Sequence, residues 1–496
     1  MSANDNDAYG RLQGVDRAPL YNPPVLRLCS FLIAAALVTP PLGARELPKM
    51  LSQALRAASV PQSNVAIVVQ ELGATRPTFS YNAAVPMNPA SVMKLVTTFA
   101  ALELLGPAYH WKTEAYTTAP LRGGVLEGDL VLKGYGDPKL DYESFWMLLR
   151  ALRGKGLREI HGDLVLDRSF FAPVLADPGR FDGEGLRPYN VLPDALLVHY
   201  KSLRFAFVPE PEREAVRIYV EPHPPGLVVA NTLRLSAGNC LEGRAFRDML
   251  QAEFAAGPPP RAEFSGHYPI ACGEKELNVA LLAPNEQVAG IVRELWPEMG
   301  GVWKGKVREG EVPAEAQLLH THVSAPLAEI VRSINKYSNN VMARQLYLTL
   351  ATATSEPPAR PELAIEAVRH WLAVKDIPAH ELAIENGSGL SRTDRISAAS
   401  LAAVLQAAWK SAVMPEFVSS LSLVAFDGTM RKRLVGDAVA GQAHIKSGLL
   451  SDVRAMAGYV LDRKGRRKVV VLLMNHPNAP EAEAAADELL RWAYEQ

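Results

Sequence analysis

The sequence predicts a mixed α/β domain assembled from the two ends of the chain, with a β-rich middle inserted into it. Strand patterns at 64–72 and 78–82 near one end answer strand patterns at 454–461 and 466–474 near the other, so strands from both ends are expected in one sheet. Helix-rich stretches at 325–351, 361–374 and 397–412 supply the cover for that sheet. Between the ends, 115–281 changes texture to short alternating strands broken by Gly and Pro.

In chain order, 64–72 is a buried-strand pattern and 78–82 its partner. Asn88-Pro89-Ala90 reads as a turn, and 91–105 as a helix that stops at Gly106-Pro107. Within the insertion, strands are expected at 128–134, 162–167, 203–208, 215–220 and 230–236, with a helix over 141–157. Gly128-Asp129-Leu130-Val131-Leu132 recurs 34 residues later as Gly162-Asp163-Leu164-Val165-Leu166, two similar entries from a turn into a strand. Pro209-Glu210-Pro211 and Gly257-Pro258-Pro259-Pro260 read as loops. At the far end, 454–461 and 466–474 are joined by a turn at Asp462-Arg463-Lys464-Gly465, and 479–494 is an amphipathic helix. The chain therefore divides into a leader at 1–44, a first part of the two-ended domain at 45–114, the insertion at 115–281 and a second part at 282–496.

With 496 residues, 48% of them hydrophobic and 21% charged, the chain can bury a large core. A net charge of -1 removes any general electrostatic argument for a nucleic-acid partner. The basic run Arg463 to Lys468 reads first as a solvated hairpin tip, with peripheral contact to an anionic membrane surface as the second reading. The leader has Arg27, an apolar run over 28–38 and a segment Thr39 to Ala44 after it, which resembles a signal peptide cleaved near Ala44, with an uncleaved anchor or a buried terminal helix as the other readings, and predicts export to a periplasm. Removing it leaves two of the three cysteines, Cys240 and Cys272, either as one disulfide or as two buried thiols. No metal-ligand spacing or Gly-rich phosphate loop occurs, so neither a metal nor an organic cofactor is expected.

Three strings stand in order along the chain: Ser91-Val92-Met93-Lys94, Ser338-Asn339-Asn340 and Lys446-Ser447-Gly448. They fit an SxxK, SxN, K[ST]G triplet. Ser91 falls at a helix N-terminus, where unpaired N–H groups and the helix dipole favour developing negative charge. Lys94 is one turn along on the same face, within reach of the Ser91 hydroxyl. Ser333-Ile334-Asn335-Lys336 satisfies the first two patterns as well, but it lies within the helical spacing of Leu327, Ile330, Val331 and Ile334 and is read as helix.

The triplet, together with Gly128 to Leu130, Gly136-Asp137-Pro138, Asn335 to Asn340, Asn386 to Arg392, Asp427 to Arg431 and Ala457-Gly458-Tyr459, resembles the class C low-molecular-mass penicillin-binding proteins. These are serine D-Ala-D-Ala carboxypeptidases and endopeptidases of the DacB type. The resemblance implies a transpeptidase-like fold, a mainly antiparallel sheet covered by helices on both faces, with domains inserted between the first two motifs. It implies Ser91 as nucleophile, Lys94 as its base, Ser338 as proton relay, and Asn340 as the holder of Lys94 and of a substrate amide. Lys446 and Ser447 would bind the substrate carboxylate, Gly448 would let the strand approach the substrate, and the backbone N–H groups of Ser91 and Leu449 would form the oxyanion hole. The implied substrates are peptidoglycan stem peptides, with β-lactams as covalent inhibitors. One departure stands out: Leu449 follows the third motif where a small hydroxyl residue is common. His444, two residues before Lys446, is read as a structural or rim histidine. Two other readings remain: a β-lactamase or esterase with the same serine chemistry, and a non-enzymatic cell-wall scaffold.

Overall fold

The computed structural model describes residues 46–496, so the leader expected at 1–44 lies outside the described residues. Both chain ends contribute to one six-stranded antiparallel sheet. Its strands are β1 (Val65–Glu71), β2 (Phe79–Tyr81), β3 (Ser422–Leu423), β4 (Ala443–Leu450), β5 (Val453–Leu461) and β6 (Arg467–Asn475), in the order β2-β1-β6-β5-β4-β3. The reason is legible in β6. Val469, Val471 and Leu473 enter one core, while Val470, Leu472 and Met474 enter another, so a continuous apolar run is buried on both faces.

The first core is closed by α2 (Lys94–Leu104), α3 (Leu327–Tyr337), α4 (Asn340–Ala351), α5 (Pro361–Val374) and α6 (Ala398–Lys410). The second is closed by α1 (Lys49–Ala57) and α7 (Glu483–Glu495), the chain's last helix. The helical pattern over 325–351 is in fact two helices. Ser338 takes φ +57° and ends α3, and Asn339 opens α4 by accepting a 3.0 Å hydrogen bond from Met342 N.

The inserted part begins earlier and ends later than the expected 115 and 281. Lys112–Thr117 pairs with both Leu130–Gly134 and Gln317–Val323, while Val307–Glu309 joins the same sheet through Leu164–Asp167. The helix Pro284–Glu298 buries Val288, Ile291, Val292 and Leu295 against Phe145, Leu148 and Leu149 of the helix Tyr142–Gly154. Residues up to about 323 therefore complete the inserted sheet, and the two-ended domain resumes only at α3. The repeated pentapeptides lie side by side as parallel neighbours, Leu130 opposite Leu164 and Leu132 opposite Leu166.

A second inserted core, around Phe205, Phe207, Phe264 and Tyr268, carries the disulfide Cys240–Cys272, which settles the choice left open between a bridge and two thiols. By loop entropy, a bridge of sequence separation 32 contributes roughly 3–4 kcal/mol. The basic run at 463–468 is a hairpin tip whose cations are paired within the chain: Arg463 with Glu495, and Arg466 and Lys468 with Asp462.

Candidate active site

The turn before α2 sets the site. Ala90 takes φ +47°, and a short 3-10 segment Ala90–Met93 leads into α2, so Ser91 stands one turn ahead of Lys94, the helix's first residue. Asn88 pins this turn to the end of β6, donating from its N to Asn475 Oδ1 (2.8 Å) and accepting from Asn475 Nδ2 on its O (2.9 Å). Two glycines pack directly on it. A Cβ at Gly448 would lie 2.8 Å from Pro89 O and 3.2 Å from Ser91 N, and one at Gly389 would lie 1.9 Å from Ala90 O. The close approach expected of Gly448 is thus to the nucleophile's own turn, which brings β4 against Ser91.

Lys94 is fully buried. Its Nζ lies 3.0 Å from Ser91 Oγ, 2.6 Å from Asn340 Oδ1 and 2.5 Å from the Ser388 carbonyl oxygen. Burial holds its pKa well below the ordinary lysine value, and the charges of Lys446 and Arg344 push it the same way, against the opposing pull of Asp394. Lys446 is also fully buried, and that burial pushes it down to about 7. Its Nζ donates to Ser338 Oγ (2.9 Å) and to Ser447 O (2.8 Å). Ser338 reaches Lys446 because the left-handed residue at the end of α3 turns it out of the helix.

All seven side-chain or glycine positions singled out from the sequence therefore meet in one cluster, and Leu449 borders it. Leu461 N donates to Gln442 O (2.8 Å), one step beyond the last β4–β5 pair, Ala443 opposite Val460. Even-numbered residues of β4 thus carry the bonds to β5, and odd-numbered ones turn their N–H groups to the opposite edge. There β3 reaches toward Leu449 only as far as Ser422, opposite Ile445, leaving the Leu449 N–H on an uncovered strand edge beside the Ser91 turn.

The competing Ser333 pattern is structural. Asn335 Nδ2 donates to Thr98 Oγ1 (3.1 Å) and Ser420 Oγ (2.9 Å) in the core, and Lys336 pairs with Asp427. His444 is half-buried, and burial lowers its pKa further from the charged state. Two contributors were not anticipated from sequence. Ser388 acts through a backbone carbonyl, which has no side-chain signature, although it lies in the Asn386 to Arg392 segment that carried part of the resemblance. Thr429, from the Asp427 to Arg431 segment, places its Oγ1 2.7 Å from Ser447 Oγ.

A sequence model of the D-Ala-D-Ala carboxypeptidase 3 (S13) family matches residues 47–496. The D-alanyl-D-alanine carboxypeptidase DacB of Haemophilus influenzae is 24% identical over 85% of this chain and 87% of its own length. The D-alanyl-D-alanine carboxypeptidase of Actinomadura sp. strain R39 is 28% identical over 93% and 91% of the two chains. The crystal structure of penicillin binding protein 4 (dacB) from H. influenzae superposes with a TM-score of 0.74 at 23% identity, covering 90% of this chain and 99% of that one, which establishes the same fold.

Proposed function

The chain belongs to the D-Ala-D-Ala carboxypeptidase 3 (S13) family, and from that premise we propose that it is a serine D,D-peptidase that removes terminal D-alanine from peptidoglycan stem peptides through an acyl-enzyme on Ser91. The observation that carries this reading is the geometry around Lys94 Nζ. A neutral lysine amine has two N–H donors and one lone pair. Asn340 Oδ1 and Ser388 O accept the two donors at 2.6 and 2.5 Å, which directs the lone pair at the Ser91 hydroxyl 3.0 Å away. Burial and the two nearby cations keep the amine neutral, as a base must be.

Ser91 Oγ then attacks the carbonyl of the penultimate D-alanine while its proton passes to Lys94. The backbone N–H groups of Ser91 and Leu449 stabilise the oxyanion. Ser338, linked to Lys446, delivers a proton to the leaving amine, and water releases the acyl group to regenerate Ser91. Lys446 and Ser447 hold the substrate's terminal carboxylate, whose charge favours the protonated state of Lys446. The uncovered edge of β4 suits an extended peptide added as a further strand. β-Lactams acylate Ser91 as mimics of the same amide. An exported location is supported by the apolar leader at 28–38 and by the disulfide, which belongs to an oxidising compartment.

The test is paired. Wild type is expected to release D-alanine from a defined pentapeptide and to be labelled by a fluorescent penicillin, while Ser91→Ala does neither. Equal labelling of the two proteins would refute the assignment of Ser91, and rapid β-lactam turnover without D-alanine release would refute the peptidase.

A further inference from the structure

In the family this chain resembles, a small hydroxyl residue commonly follows the third motif. Leu449 occupies that place and is 57% exposed. A hydroxyl is nevertheless present, brought in from another part of the chain. Thr429 Oγ1 lies 2.7 Å from Ser447 Oγ, and the pair is exposed to solvent beside Lys446.

This placement is held from several sides. Lys336, at the end of α3, donates to the Leu421 carbonyl (2.9 Å) and pairs with Asp427, and Asp427 Oδ1 accepts from Leu423 N (2.7 Å). Gly428 takes φ +55°, and a Cβ there would fall 2.3 Å from Ser422 Oγ and 2.6 Å from Lys336 O, so only glycine lets the turn sit this close to α3. Thr429 N donates to Ser422 Oγ (3.2 Å). The helix end that presents Ser338 to Lys446 therefore also fixes Thr429 against Ser447.

We propose that Thr429 is a substrate-binding residue, donating its hydroxyl to the terminal carboxylate beside Ser447 and supplying the contact that Leu449 cannot. The two hydroxyls share one hydrogen bond, in which one donates and the other accepts. With a carboxylate bound, each turns its one donor to a different carboxylate oxygen, so two acceptor oxygens meet two donors next to Lys446. The proposal rests on the D,D-peptidase reading and deepens it by assigning specificity for a free C-terminus.

The experiment compares a D-Ala-D-Ala peptide having a free carboxylate with the same peptide amidated at its C-terminus, measuring D-alanine or D-alaninamide release. Thr429→Val is expected to lower kcat/KM on the acid by about tenfold to a hundredfold, as loss of a hydrogen bond to a charged group does, chiefly through KM. The amide should stay within about threefold of wild type, because the neutral group gains little from the lost donor. Thr429→Ser should keep the wild-type preference, and Leu449→Thr added to Thr429→Val should restore part of it, since residues 447 and 449 share a strand face. Because the acid-to-amide ratio is read within one protein, partial loss of folded enzyme cancels. An equal fall on both substrates, or a Thr429→Val protein with the wild-type ratio, would overturn the role of Thr429 and leave the peptidase reading intact. Wild type that releases nothing from the acid would overturn both.

Discussion

Replacing Asn340 by Asp changes one charge at almost constant shape, and the structure says where that charge lands. Asn340 Oδ1 is 2.6 Å from Lys94 Nζ. A full negative charge at that distance, with an effective dielectric constant of about 20, attracts an ammonium by roughly 6 kcal/mol. Part of this is offset by desolvating a new carboxylate in a site that already holds Asp394, a carboxyl pushed up to about 6 by its burial. If only about half survives, roughly 3 kcal/mol favours the protonated amine by about a hundredfold. The sign follows directly: the pKa of Lys94 rises, its lone pair is occupied at neutral pH, and Ser91 loses its base. Acylation by a chromogenic β-lactam should therefore fall about a hundredfold near neutrality and recover as pH rises, because hydroxide removes the extra proton. A variant with the wild-type rate and pH profile would refute Lys94 as the base. A loss of the same size at every pH would refute the electrostatic account and leave Asn340 with substrate holding alone.

Lys446→Met removes a cation that lowers the pKa of Lys94, so the acidic limb of the acylation profile should move to higher pH, and an unmoved limb would contradict the coupling. In wild type, Lys446 at about 7 predicts that kcat/KM for the free-carboxylate peptide declines on the alkaline side, as the empty enzyme loses the cation that binds it. Gly448→Ala drives a Cβ to 2.8 Å from Pro89 O, where rigid backbone faces rigid backbone. It should cost about 1–3 kcal/mol of stability and, by parting β4 from Ser91, about a hundredfold in acylation rate; calorimetry and labelling of one sample would show both, and full activity would mean the strand can yield.

What could be read from sequence was whatever leaves a side-chain pattern over neighbouring residues. The both-face burial of β6 shows as an apolar run from Val469 to Met474, and Ser91 with Lys94 shows as a spacing at a helix start. The Ser333 pattern differs from Ser91 only in context, and the structure gives that context its physical form: Asn335 and Lys336 are spent on Thr98, Ser420 and Asp427. The end of the insertion was misread because Val302–Trp303 and Val307–Glu309 are too short for any periodicity, and they pair in parallel with strands some 140 residues earlier. Ser388 and Thr429 were missed for related reasons. One contributes a carbonyl that any residue possesses, and the other reaches the site only through a tertiary contact at a glycine turn.

The separation of 247 between Ser91 and Ser338 does more than interrupt the two-ended domain, because the contacts along α4 give the inserted residues a constructive role. The helix begins at Asn340, and its next turns are gripped by the inserted part. Arg344 donates to the Val191 carbonyl (2.9 Å), while Gln345 accepts from Asp194 N (2.8 Å) and donates to Asp194 O (2.7 Å). Further along, Thr349 Oγ1 accepts from Trp111 Nε1 (3.1 Å) at the threshold of the insertion. These are buried contacts, and leaving such groups unpaired costs about 1–3 kcal/mol each, so they fix the axial position of α4 firmly. A slip of one residue along a helix is about 1.5 Å, enough to break the 2.6 Å contact between Asn340 and Lys94. The same helix carries Arg344, whose charge helps keep Lys94 neutral. The inserted part thus acts on the chemistry at one remove: it sets the register of the helix that both orients the base and lowers its pKa.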